Sequence, residues 1–600
     1  MLRNLISEIY SFSGKEQRSI FFRLQILIIF TSVMEIFSIA SLGFFVKVVS
    51  EGGIVTGNKY IHQLNLWLGV EEPDFIFYLG FITLIILMVG AVLSIFTIWK
   101  VSLFASQYGT ELGNKLFTNY INQPWSYHLT SNSSELTKKV SVESIRVTDK
   151  ILTQLMLMNA RIVLVVLITV SVFIYEPVVT TISSLIFTLS YFLLYRGSSK
   201  KLLANGRIFS NELTRRFKFL SEGLGGIQSV ITLNKKNKFI KDFNLSGIPM
   251  YRAHGTNVAV SMMPKFFMEF VIFGGFVSLI MTLIYFNTGN LSSILPQMSV
   301  FGVVAIKFLP AFQQIYNGLT QIKGNLAAWD EIKEDLIMSP ASNFIYTKER
   351  MSLGENIKIR NISFRYSSKS NLIINNINLD LDVTTNNVIG IIGPSGSGKS
   401  TLVNLISGLL IPTSGSINIG KEALSGHNVS KWYNNIGYVP QNVYLTDQTI
   451  MENIAFGVDK NNINKDKLKA AVDRANLSDF VNTLPNKLNT MVGEQGVQIS
   501  GGQKQRIGIA RALYNEPDVV IFDEATSSLD GVSEKRIMET IENLQAKLVI
   551  LVAHRLNTIK KCDIIFLMNH GKIIDQGSYT ELYKRNHLIQ EMENETEKLI

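Results

Sequence analysis

Eight residues, Gly393-Pro394-Ser395-Gly396-Ser397-Gly398-Lys399-Ser400, follow an apolar run, Val388–Ile392, and lead into Thr401–Leu410. A GxxxxGK[ST] loop between a strand and a helix is a phosphate cradle. Its glycines let backbone N–H groups curl around phosphate oxygens, Lys399 reaches the β/γ oxygens, and the Ser400 hydroxyl suits Mg2+. Thr401, next along, joins the nucleotide contacts. A second apolar run, Val519–Phe522, ends in Asp523-Glu524. Asp523 suits Mg2+, directly or through water, and Glu524 is placed to polarise the attacking water as general base. Alone, an acidic pair at a strand end is a solvated terminus. Beside a phosphate loop it reads as the second half of an ATP-hydrolysing site.

Between these two segments lies Ile499-Ser500-Gly501-Gly502-Gln503, followed by Lys504-Gln505-Arg506. With these residues in this order, the C-terminal part resembles the nucleotide-binding domain of an ABC ATPase. Its signature departs from the usual LSGGQ only in Ile499. The resemblance implies further roles. Tyr366, in Phe364-Arg365-Tyr366, matches the aromatic that stacks on adenine. Gln441, in Val439-Pro440-Gln441, matches the glutamine that senses Mg2+ and the transmembrane part. Gly493-Glu494-Gln495-Gly496 resembles the X-loop of exporters, and Ser528-Leu529-Asp530 matches the D-loop. His554, after Leu548–Val552, matches the switch histidine near the γ-phosphate. This family sandwiches ATP, with Mg2+, between the phosphate loop of one domain and the signature of another. The chain has one of each, which implies a dimer, most simply two copies of itself; a different second half-transporter stays open. Glu524 and Ser500–Gln503 are intact, so neither site of a homodimer looks degenerate.

The elements that must hold this chemistry are of two kinds. Only 17% of the 600 residues are charged, against about 25% in a typical soluble protein, yet the net charge is +10 and mean hydropathy is +0.22. Residues 1–345 hold 29 basic and 20 acidic side chains, and the remaining residues 28 and 27. The excess positive charge therefore belongs to the apolar half. That argues against a nucleic-acid surface and for basic loops flanking membrane spans. A single cysteine, Cys562, excludes a disulfide framework or a cysteine-rich metal site. The apolar runs Leu24–Val46, Phe75–Trp99, Ile162–Tyr175, Val178–Tyr195, Phe266–Phe286 and Leu291–Phe312 predict six spans. Lys138, Lys139, Arg146 and Lys150 lie between spans two and three, and Lys200, Arg215, Lys235 and others between spans four and five. By the positive-inside rule these loops and both termini face the cytosol. Tight outer turns are expected at Glu176-Pro177 and Asn287–Asn290, and a short outer-interface helix around Tyr60–Leu68. Leu2, Leu5, Ile6, Ile9 and Tyr10 predict an N-terminal amphipathic helix on the inner surface.

The expected fold is thus an α-helical membrane domain with six transmembrane helices fused to an α/β P-loop ABC ATPase domain. Its parts are a membrane domain at 1–335, a linker at 336–355 and a nucleotide-binding domain at 356–600. This arrangement resembles a type IV ABC exporter half-transporter in a bacterial inner membrane, with the ATPase domain cytosolic. The resemblance places coupling helices around Pro124–Leu136 and Glu222–Val230. The segment Gln123–Leu136 resembles the corresponding loop of PglK-like flippases, which implies a lipid-linked oligosaccharide, a polyprenyl-pyrophosphate glycan, as substrate. Arg161 and Lys307 each fall roughly 20 Å below an outer turn at about 1.5 Å per residue, and Lys265 near the inner end of span five. A basic lining for a pyrophosphate headgroup follows, with Glu35 a buried acid able to pair with one of these cations. The plain alternative is that Lys265 pairs with Glu269 one helical turn on. Export of a drug, a lipid A-type lipid or a peptide stays open. A soluble ABC ATPase acting on nucleic acid is disfavoured by the six spans.

Overall fold

The computed structural model describes residues 2–50, 72–175, 177–286, 295–338, 347–367, 370–384, 387–493, 496, 499–525, 531–542, 544, 546–553 and 556–597. The outer helix expected at 60–68, Glu176 and the turn at Asn287–Asn290 lie outside the described residues. Two compact units form, one from 1–121 with 131–339 and one from 122–130 with 340–600.

Among the described residues the long helices of the first unit are α1 Lys15–Ser50, α2 Glu72–Ile121, α3 Thr153–Tyr175, α4 Pro177–Gly225, α5 Lys236–Phe286 and α6 Leu295–Ile337. Among the described residues, the stretches Lys15–Val46, Asp74–Ile121, Ser133–Ile174 and Lys236–Gly275 are long and apolar enough to cross a membrane. The other two expected spans fall on α4 and α6. A helix closes its backbone hydrogen bonds within itself, which is the requirement of a lipid environment. Apolar side chains turn outward along these helices, Phe77, Met88 and Ile95 being largely exposed. Between α1 and α2 an apolar cluster around Val48 and Phe75 is joined by small polar contacts. The Thr31 and Thr97 hydroxyls meet at 2.7 Å, and Ser38 Oγ donates to the Ile86 carbonyl at 3.3 Å. A Cβ at Gly90 would sit 2.6 Å from Ser38 Oγ, so glycine is what lets the two helices approach.

The basic segments expected as cytosolic loops are helical instead. α3 is the end of a longer helix that starts at Ser133–Lys138 and passes through two π-helical turns, Lys139–Glu143 and Thr148–Leu152. The basic residues between spans four and five continue α4 and begin α5. Far from being solvated, Lys138 and Glu143 are fully buried. Lys138 pairs with Glu331 and with Glu143 at 3.3 Å, and Arg146 pairs with Glu143 at 2.6 Å and donates to Asn325 at 3.1 Å. Lys139 pairs with Asp335 at 2.9 Å. Buried charges persist only when paired and hydrogen-bonded, and here acids from α3's lead-in and from α6 supply the partners.

The N-terminal helix, Leu2–Phe12, buries Leu5 and Ile9 against protein and leaves Ile6 and Tyr10 outward. It is pinned where Trp329 Nε1 donates to Glu8 at 2.7 Å and Tyr108 to the Ile9 carbonyl at 3.2 Å. Its apolar stripe is therefore shared between protein and surroundings. Short helices occur at Trp125–Thr130, within the second unit, and at Ile227–Thr232.

The second unit holds two sheets. Strands β1 Asn356–Phe364, β2 Ile374–Asp382, β4 Ser414–Ile419 and β5 Glu422–Ala423 form an antiparallel sheet in the order β2-β1-β4-β5. The other strands are β3 Asn387–Ile392, β6 Ile436–Val439, β7 Val519–Asp523, β8 Leu548–Val552, β9 Ile564–Asn569 and β10 Lys572–Gly577. They order as β10-β9-β3-β8-β7-β6, parallel except for β10. Every residue of β7 and β8 is buried. That explains their unbroken apolar runs, since parallel strands are covered on both faces. Helix α7 Lys399–Ile406 follows β3, and α8 Gly501–Leu513 precedes β7. In such sheets ligands bind beyond the carboxyl ends of the strands.

Candidate nucleotide site

The phosphate loop leaves the carboxyl end of β3, Asp523 ends β7, and Gln441 lies just past β6. Because β6, β7, β8 and β3 are neighbours in parallel register, these residues meet at one edge although up to 130 residues of chain separate them. Gly393 and Gly398 make the loop possible. Gly398 caps α7 at φ 102°, and a Cβ at Gly393 would lie 2.1 Å from the Met568 carbonyl. The loop is set up for an anion. The Ser397 hydroxyl is buried and accepts or donates nothing among the described residues, and the α7 N-terminus supplies free N–H groups. Lys399 Nζ donates to the Gly393 and Pro394 carbonyls at 2.9 and 3.1 Å, bonds that a phosphate reached by Lys399 would have to replace. Burial pushes the Lys399 ammonium below its ordinary pKa, opposed by Glu524 and Asp523.

Glu524 stands at φ 52°, a left-handed conformation uncommon for glutamate and often found at reactive sites. Its Oε2 accepts from Gln441 Nε2 at 2.7 Å. Asp523 is 9% exposed, and burial raises its carboxyl pKa against the hydrogen bond from Tyr438. Its Oδ2 accepts from the Tyr438 hydroxyl at 3.0 Å, while Oδ1, buried, has no hydrogen-bond partner among the described residues. A buried orphan carboxylate oxygen beside the Ser400 hydroxyl suits Mg2+, which takes one or two protein oxygens and fills its shell with substrate phosphate and water. Tyr366, 44% exposed, lies edge-on to Phe364 at 5.0 Å, with its hydroxyl 3.2 Å from Thr401 Oγ1.

The signature Ser500–Gln503 is itself a helix cap. Ser500 Oγ accepts from the Gln503 N–H at 3.3 Å, and Gln503 Oε1 accepts from the Ser500 N–H at 2.9 Å, a capping box at the start of α8. A Cβ at Gly501 would meet nothing within 4 Å, so among the described residues no contact requires a glycine there. The bare N-terminus is left open toward whatever approaches from outside.

Asp530, His554 and the middle of the Gly493–Gly496 segment lie outside the described residues. Sequence reasoning passed over Tyr438. Its only signal was a tyrosine three residues before Gln441 on the strand adjoining β7. In the first unit, two of the three cations expected to line a headgroup site, Arg161 and Lys265, have carboxylate partners. Arg161 NH1 pairs with Glu35 at 3.0 Å, and Ser94 also donates to Glu35 at 2.9 Å. Lys265 approaches Glu269 at 3.8 Å, the plain alternative. The Lys307 side chain lies outside the described residues.

Known proteins show the same two parts. Residues 22–314 match the family described as ABC transporter transmembrane region, and residues 376–527 the family described as ABC transporter. The leukotoxin export ATP-binding protein LtxB of Aggregatibacter actinomycetemcomitans is 43% identical over 251 residues, 42% of this chain and 35% of that protein. An ATP-dependent lipid A-core flippase of Ralstonia nicotianae is 38% identical over 234 residues, 39% of each chain. The chain thus spans little more than a third of the length of these curated relatives. The structure of a bacterial Atm1-family ABC exporter with ATP bound superposes with a TM-score of 0.79 at 20% identity, over 96% of this chain and 99% of that one. One polypeptide thus carries a region matched by the ABC transporter transmembrane family and, after it, a domain matched by the ABC transporter family.

Proposed function

We propose that the chain is a half-transporter that pairs with a second copy and uses ATP hydrolysis to move an amphiphile outward across a bacterial inner membrane. The observation that supports this most is the convergence of Lys399, Asp523, Glu524 and Gln441 at one sheet edge, with a capped signature helix that opens on glycine and could close on a nucleotide from the opposite side. In this reading Glu524 holds the proton of the attacking water as general base, and Gln441 orients the Glu524 carboxylate. Lys399 and the loop N–H groups bind the β/γ-phosphates, Tyr366 stacks on adenine, and Asp530 and His554 complete the site. Ser400, Gln441 and Asp523 would hold Mg2+, which when bound neutralises charge on the phosphates. Dimer closure turns the membrane helices outward, and hydrolysis resets them.

For the cargo we favour a lipid-linked oligosaccharide, on the likeness of Gln123–Leu136 to the matching loop of flippases for such lipids. Since Arg161 and Lys265 already have carboxylate partners, that reading no longer leans on a basic lining. A different amphiphile is the second reading, favoured by the names of relatives that export leukotoxin or flip lipid A-core. Reconstitution in liposomes with a fluorescent undecaprenyl-pyrophosphate glycan separates them. We expect ATP-dependent translocation that Glu524→Gln abolishes, with hydrolysis falling about 10²–10⁴-fold and ATP binding retained. Transport of unrelated amphiphiles with none of the glycolipid would sink the first cargo and keep the second.

A further inference from the structure

The Walker-type aspartate is held from a side that no motif announces. β6 and β7 run parallel with Tyr438 opposite Ile521, and from there the phenol reaches the end of β7. Its hydroxyl donates to Asp523 Oδ2 at 3.0 Å. With one oxygen tied down, the carboxylate cannot rotate freely, and the other oxygen, buried and unpartnered among the described residues, is the one left for a ligand. An unpaired buried oxygen costs free energy unless something fills it, so a cation or one of its waters bound at Oδ1 would relieve that cost. Outer groups that orient a metal's first ligands commonly govern its affinity.

We propose that Tyr438 is a positioning residue for the divalent cation of the nucleotide site, fixing Asp523 by Oδ2 so that Oδ1 is presented to the ion or to one of its waters. The inference rests on the reading of Asp523 as a Mg2+ group. Tyr438→Phe removes the hydroxyl and keeps the ring. In the full-length transporter with the non-hydrolysable analogue AMPPNP, Mn2+ affinity read by electron paramagnetic resonance should fall about tenfold or more. AMPPNP binding in EDTA should stay unchanged, which also certifies a folded site. The Mg2+ concentration for half-maximal ATPase should rise while kcat at saturating Mg2+ stays near that of the parent. In an Asp523→Asn background, Tyr438→Phe should add nothing, because the oxygen it orients has lost its charge. Weakened Mn2+ binding in Asp523→Asn with none in Tyr438→Phe would overturn the proposal alone. Unweakened binding in Asp523→Asn would overturn the metal reading and the proposal with it. Should Tyr438→Phe lose AMPPNP binding in EDTA as well, its role is packing and the proposal fails.

Discussion

At the scale of single residues, charge placement in the membrane unit follows pairing more than topology. Arg161 is one-third exposed and Glu35 mostly buried, and Ser94 adds a hydrogen bond to the acid. Arg161→Gln should cost about 1–3 kcal/mol, the usual range for stranding a buried partner, read as a lower unfolding temperature in detergent. Adding Glu35→Gln should return most of that loss, because a pair removed together strands nothing. If Arg161 instead serves cargo, the double variant stays as defective in transport as the single one while regaining stability. Cys562 tells a similar story of burial overriding type. The sole thiol is buried, and desolvation pushes its pKa up to about 12, which marks it as packing rather than chemistry.

At the scale of elements, helix termini do much of the work around the site. The helix Ile450–Ile454 opens with a capping box of Thr449 and Glu452. The Thr449 hydroxyl and N–H hold the Glu452 carboxyl below its ordinary 4.5. A lowered pKa in the folded state means the cap's stabilisation is complete above 4.5 and fades as pH falls through the lowered value. Amide exchange in this turn, normalised for intrinsic rates, should therefore speed up on acidification below 4.5, and Thr449→Ala, which keeps the backbone N–H bond to Glu452 and loses the hydroxyl, should weaken that dependence at a cost of about 1 kcal/mol. The same device at Ser500 and Gln503 caps α8, with glycine at the two positions between them.

At the scale of the molecule, the proposed pairing sets the phosphate loop of one copy against the signature of the other. Lys399→Ala disables the loop and Ser500→Arg blocks the signature, and each should be inactive by itself. Purified mixed dimers of the two carry one intact composite site and should hydrolyse ATP well above either parent. Equal inactivity of the mixture would argue against ATP shared between copies. Long-range contacts act at this scale too, Lys138 to Glu331 and Arg146 to Asn325 joining segments nearly two hundred residues apart.

The sequence by itself determined the phosphate loop, the acidic strand end, the signature and the division into an apolar half and a charged half. Each of these is written in contiguous residues or in local composition, where spacing alone carries the chemistry. Only the tertiary structure decided that Gln441 meets Glu524, that Tyr438 grips Asp523 and that Arg161 answers Glu35. It also turned supposed basic loops into helices with Lys138 and Glu143 wholly buried. The reason is physical. A charge far from water must find its partner wherever packing brings one, and sheet order and helix register, not sequence distance, choose which residue that is.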